Sequence, residues 1–558
     1  MPNILTPLSL WNNFDASLET NAECVSSYEN DGMRFDSVRF FGRAVGEERV
    51  SVAAVFASDA QTPATQTVII FPDSDKTIDE ETLKFFVSRG YSALMVDYRG
   101  EWEGCQFFTF YPKEISYANT ASCGRYKNYV DDSAAKTCWY EWVSVGLYAR
   151  KYAFERTNSD EIAVVGVRDG GEIAWKLGVA GKFECIIPVC SAGWKAYNGL
   201  SKYLSEEPSL DEERYRFIAG IDSQAYAPYV KCPVLMLCST NDPAFDYDRA
   251  YDTFSRINAE YQKDSAISFS IDCNAGISSG GVNDMFLMLA KCLKNRQVFV
   301  PRPAEIFVEV DEESNLIART VFDEKGVVES CGVYLAEDCM DSSLREWRVC
   351  KPKKSDSGLA REYYLNIFEK TTTIFVMASV KYSNGFSVWS KIVVKKISGK
   401  FRNMKTSSRV IFTDKDGTDG FTVADFENCS VGGVFLKDDS CLPAVVEKAR
   451  GVKGLYSQYG LSTYRLCNAR FAPSAGNLLS ADVFSDQNAT VRVAVTDVSS
   501  GEEYATTVAV VGGAWQNVIF ESKIFKSANG ASLNDFSGEF KLTVTCDSQF
   551  AVNNIMWL

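Results

Sequence analysis

The chain has 558 residues, 46% hydrophobic and 23% charged, a balance that excludes wholesale disorder and, at this length, a single core. A formal net charge of −15 argues against nucleic acid and anionic membrane as partners, because both require a basic face. The sequence contains no histidine, so no imidazole is available for acid–base work.

The opening residues MPNILTPLSLWNNFDASLETNAE show no basic stretch followed by an apolar core, so no secretory signal is expected. No apolar run is long enough to span a bilayer. The 17 cysteines show no CxxC spacing, and several lie in apolar runs such as CIIPVC and CPVLMLC. They read as small buried thiols of a reducing compartment, so a cytoplasmic location is expected, with no metal site and no cofactor.

Residues 1–66 form an entry segment in which RFDSVRFFGRAVGEERVSVAAVFAS alternates apolar and polar positions, predicting a strand pair or meander. From 67 to 300, short apolar runs alternate with longer amphipathic stretches. TVIIFP, ALMVDY, IAVVGV, CIIPVC, PVLMLC and ISFSID are predicted strands. ETLKFFVSRG, KTCWYEWVSVGLYARKYA, GGEIAWKLGVA, YDRAYDTFSRI and NDMFLMLAKCLK are predicted helices. This pattern predicts an α/β domain over 1–300, with a mostly parallel sheet and flanking helices.

VPRPAEIFVEVDE begins a change to all-β character. IFVEVDE, IARTVFD, CGVYLA, YYLNIF, TIFVMASVKY and SVWSKIVVKK predict an immunoglobulin-like sandwich over 301–400. FRNMKTSS, at 401–408, reads as a linker. FTVADF, GGVFL, LSADVFS, ATVRVAVTD, EYATTVAVV, WQNVIF, EFKLTVTC and AVNNIMWL then predict a jelly roll over 409–558. The fold class expected is therefore multidomain: an α/β domain plus two all-β sandwiches.

Between about 67 and 295, four segments in order resemble the α/β-hydrolase superfamily, most closely its dienelactone-hydrolase and acetyl-esterase branch. VIIFPDSDKTIDEETLKFFVSRGYSALMVDYRG is similar to the stretch from the oxyanion loop into the next strand. IAVVGVRDGGEIAWKLG is similar to the nucleophile elbow, CPVLMLCSTNDPAFDYDRA to the acid loop, and CNAGISSGG to the histidine loop. The family's elbow reads G-x-S-x-G. Here Gly166-Val167-Arg168-Asp169-Gly170 puts Arg168 at the serine position, and arginine stays protonated. Asp242 matches the acid, while Ile277, three residues after Asn274, takes the histidine position. Phe71-Pro72-Asp73-Ser74-Asp75 brings carboxylates to the oxyanion loop, where donors are needed. The resemblance implies the fold without its serine chemistry.

In such folds ligands sit at the carboxyl ends of the strands. The residues expected there are Asp73, Asp75, Glu101, Trp102, Glu103, Arg168, Asp169, Ser191, Trp194 and Asp242. Carboxylates and aromatic faces suit a polyhydroxylated ligand. Arg168 either pairs internally with Asp242 or holds an anionic group of a ligand. A carboxylate pair could instead run acid–base chemistry on a glycosidic bond.

The segment GVKGLYSQYGLSTYRLCNARFAPSAGNLLSADVFSD and the closing FAVNNIMWL resemble a carbohydrate-binding-module jelly roll. That resemblance makes Tyr456, Tyr459, Tyr464 and Trp515 candidate sugar-facing aromatics, against the alternative that they pack within the sandwich. The preferred reading of the whole chain is a catalytically degenerate α/β-hydrolase-like protein for binding or assembly, with carbohydrate as its ligand. The alternative is a hydrolase acting on glycan or ester bonds through cleft carboxylates around Arg168. A second alternative is a structural protein that self-associates into homo-oligomers.

Overall fold

A computed structural model describes residues 5–197, 200–203, 209–271, 276–353, 361–425, 430–431, 436–437 and 442–558. Asn274 and most of GGVFL lie outside the described residues. The N-terminal half is built on one sheet of nine described strands. They are β1 (Glu23–Asn30), β2 (Met33–Val45), β3 (Glu48–Asp59), β4 (Thr67–Phe71), β5 (Ser92–Val96), β6 (Ile162–Val167), β7 (Cys185–Val189), β8 (Leu235–Ser239) and β9 (Ala266–Ser270). Their order is β1-β2-β3-β5-β4-β6-β7-β8-β9. The strands from β1 through β3 to β5 pair antiparallel, and the rest pair parallel. The entry segment thus holds a third strand, β1, beside the expected pair. Its side chains are exposed throughout, so it lacks the alternation that marks a half-buried strand.

The parallel strands β4 to β9 are buried at every residue, because helices cover both faces. The main ones are Glu80–Val87, Cys138–Thr157, Asp169–Ala180 and Ser279–Leu293. No described helix is long and apolar enough to cross a membrane.

The remainder is rich in antiparallel sheet. Residues 305–396 form two sheets, one containing Glu305–Val310 and Leu316–Val321, the other Val328–Glu337 and Thr373–Tyr382. TIFVMASVKY explains how this region attaches. Strand side chains alternate between faces. Ile374, Val376 and Ala378 face a core shared by these two sheets, while Phe375 and Met377, between them, belong to the core of the α/β half. A strand apolar on both faces is one buried on both. FRNMKTSS is not a free linker. Asn403 donates its amide to the carbonyls of Leu316 and Leu365, at 2.9 and 3.1 Å, and Phe401 and Met404 pack on the core between the sheets.

The described residues of 410–557 form two larger antiparallel sheets around a separate core that includes Phe412, Leu455, Val493, Phe520 and Trp557, and a two-stranded one pairing Ser430–Val431 with Leu436–Lys437. Adjacent residues join the three regions. Arg345 is wholly buried against Asp248 of the α/β half. Glu346 accepts from Arg465 Nε at 3.0 Å and from Asn468 at 3.1 Å in the C-terminal region. Removing one side of a buried pair strands the other charge. Arg465→Ala is therefore expected to cost about 3–5 kcal/mol, with less than additive loss in the Glu346→Ala/Arg465→Ala double variant, as measured by denaturant unfolding.

A second join carries a buried acid. On helix Ser279–Leu293, Asn283 donates to the Gly385 carbonyl at 2.7 Å, and Asp284 Oδ1 accepts the Ser387 N–H at 2.9 Å. Asp284 Oδ2 has no hydrogen-bond partner. Burial pushes this carboxyl up to about 8, with the Ser387 and Ser268 hydrogen bonds opposing. A pKa raised above the unfolded value gives stability that is complete below about pH 4 and lost as pH rises through the folded pKa. The melting temperature is expected to fall between about pH 4 and 8 and to level off above that, and Asp284→Asn to flatten that fall.

Candidate functional site

The turn from β6 into helix Asp169–Ala180 sets the site. Gly166 and Gly170 are required there: a Cβ on Gly166 would strike the Gly170 carbonyl, and one on Gly170 would strike the Phe71 carbonyl. Between them Arg168 adopts φ 46° and ψ −108°, a left-handed φ that costs a side-chain-bearing residue of order 1–3 kcal/mol. The turn lifts Arg168 above the sheet. Its N–H remains tied to the Val189 carbonyl at 2.8 Å.

Arg168 Nε and Nη2 donate to the two oxygens of Asp242 at 3.0 and 3.1 Å, and Nη1 reaches Asp73 at 3.4 Å. Asp242 also accepts the Ala244 N–H at 2.8 Å. Asp73 Oδ1 lies 3.4 Å from the Asp169 N–H, at the start of the helix. Burial and the charge of Asp169 raise the Asp73 carboxyl, with Arg168 opposing.

Asp169 faces two lysines. Lys127 Nζ lies 2.6 Å and Lys195 Nζ 2.8 Å from its oxygens, and Ser74 Oγ donates to it at 2.5 Å. Burial alone would raise this carboxyl, but the two ammonium charges outweigh burial and hold it low. Glu172, one turn along the same helix, accepts from Ser191 Oγ at 2.7 Å and from the Gly193 N–H at 2.8 Å. Burial opposes its charge, and Lys176 and Lys195 overcome that. Trp194 is half-buried and donates its indole N–H to Thr253 Oγ1 at 2.9 Å.

Beside this network lies a cavity of about 280 Å³ at the carboxyl ends of β6, β7 and β8, lined by Arg168, Glu172, Trp194, Lys195, Asp242 and Asp246 among others. Asp246 is 30% exposed and ion-paired with Arg249. Burial and the charge of Asp248 raise its carboxyl, while Arg249 opposes.

The structure therefore brings Asp73, Arg168, Asp169, Ser191, Trp194 and Asp242 together. Asp75, Glu101, Trp102 and Glu103 do not line the cavity. Asp75 is 60% exposed beside Lys76, and the loop 101–103 faces solvent with the Trp102 ring 4.1 Å from the Arg99 guanidinium. Ile277 is fully buried. Lys127, Glu172, Lys195 and Asp246 escaped the sequence reading. Glu172 could have been found, four residues past Arg168 on the helix predicted there. Lys127 sits in an irregular stretch without periodicity. Tyr456, Tyr459, Tyr464 and Trp515 are half-buried and not gathered on one sheet: Tyr456 and Trp515 belong to one, while Tyr459 and Tyr464 flank a strand of the other.

Arg168→Ser places a hydroxyl on the elbow with no imidazole to activate it. This variant and the native chain are both expected to remain unlabelled by a fluorophosphonate probe, read by intact mass.

No family model matches the sequence, and no curated protein does. Solved structures do. The acetyl xylan esterase from Paenibacillus sp. R4 is 14% identical with a TM-score of 0.36, over 51% of this chain and 92% of that one. Acetyl xylan esterase 1 from Thermoanaerobacterium sp. JW/SL YS485 is 16% identical with a TM-score of 0.35, over 51% and 90%. A protein of Klebsiella pneumoniae subsp. pneumoniae MGH 78578, titled a dienelactone hydrolase, is 12% identical with a TM-score of 0.32, over 48% and 100%. These neighbours are esterases and hydrolases. The expectation of a non-catalytic binding or assembly protein is corrected accordingly.

Proposed function

We propose that the protein is a hydrolase acting on glycan or ester bonds through the cleft carboxylates around Arg168. The observation that carries this reading is a single cavity lined by both Asp242 and Asp246, two carboxyls in contrasting surroundings. Asp242 Oδ1 is filled by Arg168 Nη2 and the Ala244 N–H, whereas Oδ2 takes only Arg168 Nε and keeps a lone pair. The Asp242 side chain is shielded from solvent beneath Arg168, so the proposal requires the guanidinium to give way from Oδ2 as substrate enters, after which that oxygen takes a proton from the attacking water. Asp246 retains its proton more readily and delivers it to the leaving oxygen, since an acid must be protonated at working pH to act. Arg168 holds Asp242 in place and adds positive charge where negative charge develops.

The same proposal takes 301–400 as an immunoglobulin-like sandwich and 409–558 as a carbohydrate-binding-module-like jelly roll. What supports this is that the described residues of each include two main antiparallel sheets contributing to one apolar core.

The test is turnover of 4-nitrophenyl glycosides and 4-nitrophenyl esters by the full chain. Asp242→Asn and Asp246→Asn are each expected to lower kcat about 10²–10⁴-fold while the protein stays folded by thermal melting. The rate should fall as pH rises through the raised pKa of Asp246, and Asp246→Asn should remove that limb. Absence of turnover across both panels, or turnover indifferent to both variants, overturns the reading.

A further inference from the structure

The cavity has a wall that does not come from the α/β half. Met340, Asp341, Ser342 and Ser343, from the loop after strand Val328–Glu337, line it. The loop is held from several directions. Arg345 Nε donates to the Cys339 carbonyl at 2.8 Å and Nη2 to the Met340 carbonyl at 3.2 Å, so the backbone curls round the guanidinium. The guanidinium is fully buried and grips both oxygens of Asp248. From the α/β half, Asn241 donates its amide to the Ser343 and Arg345 carbonyls at 3.0 and 2.9 Å. Ser201 Oγ donates to the Met340 carbonyl at 2.8 Å. Asn241 immediately precedes Asp242, so one turn positions both the carboxylate and the wall facing it.

We propose that Met340–Ser343 is the specificity-determining wall of the cleft and that it sizes the cavity for one pyranose ring. The cavity volume of about 280 Å³ lies at the lower edge of the ~300–1,000 Å³ of drug-sized pockets, which favours a single small ring over an oligomer. The loop contributes Asp341, Ser342 and Ser343 to the lining that also holds Asp242 and Asp246, with Asp341 Oδ1 accepting the Ser343 N–H and hydroxyl at 2.9 and 2.8 Å. Such a surface is rich in acceptors and suits a ligand with many hydroxyl donors. The carbonyls of Cys339, Met340, Ser343 and Arg345 are already bonded, so the loop is a fixed wall that selects by shape.

The chemistry rests on the hydrolase reading; the binding does not, and the test separates them. The full chain is titrated by calorimetry with methyl pyranosides, plain and O-acetylated, and with the corresponding disaccharides. We expect saturable binding of a monosaccharide with no gain from a second ring. Ser342→Trp, which fills the cavity, should weaken binding at least tenfold without lowering the melting temperature, and Met340→Ala should favour bulkier ring substituents. Loop-sensitive binding without turnover leaves this inference standing and removes the hydrolase reading. Turnover with KM indifferent to Ser342→Trp does the reverse. No binding of any pyranoside by the native chain, or binding unchanged by Ser342→Trp, overturns the inference.

Discussion

Two consecutive side chains pointing opposite ways fix the relation of everything else. Arg345 reaches into the α/β half and pairs with Asp248; Glu346 reaches into the C-terminal region and pairs with Arg465. All four carboxylate and guanidinium groups are almost wholly removed from water. A buried charge is tolerable only with its partner in place, so neither neighbour can drift without stranding an ion. Three regions, of which the C-terminal one has its own apolar core, are thereby held in one register, and the loop just before Arg345 lines the cleft.

The cleft follows the same logic on a smaller scale. Arg168, lifted by a strained turn, would be an uncompensated charge without Asp242 and Asp73. Asp169 would be expelled without Lys127 and Lys195, and Glu172 without Lys176 and its hydroxyl donors. Opposite charges alternate through the site, so each group's ionisation depends on its neighbours. Asp246 stands apart from this balance: the nearby carboxylate of Asp248 and its own burial outweigh Arg249 and favour its proton. Different fates for neighbouring carboxyls are what acid–base hydrolysis requires.

The attachment of the middle region is of another kind. Alternate residues of TIFVMASVKY serve two cores, so one strand belongs to both. Around it, Asn283 and Asp284 grip the hairpin at 385–387, and Asp284 does so with one oxygen unsatisfied. Apolar continuity joins the two regions, while the buried carboxyl makes the joint weaken as pH rises between about 4 and 8.

By itself the sequence determined the strands and main helices of the α/β half, because both periods of burial are written locally in runs such as IAVVGV and GGEIAWKLGVA. It also determined the turn that raises Arg168, since glycine spacing encodes a steric requirement of the backbone. It placed Asp242 near the cleft, because a residue just past a parallel strand has little choice of position. It could not place Lys127, Lys195 or the loop 340–343, which meet the cleft across 26 to 175 residues of chain through charge pairing and tertiary packing. Nor could it show that Glu101, Trp102 and Glu103 turn away, since loop direction is set by what the loop packs against. Local pattern decides which face of an element is buried; only the folded whole decides which charges face each other across it.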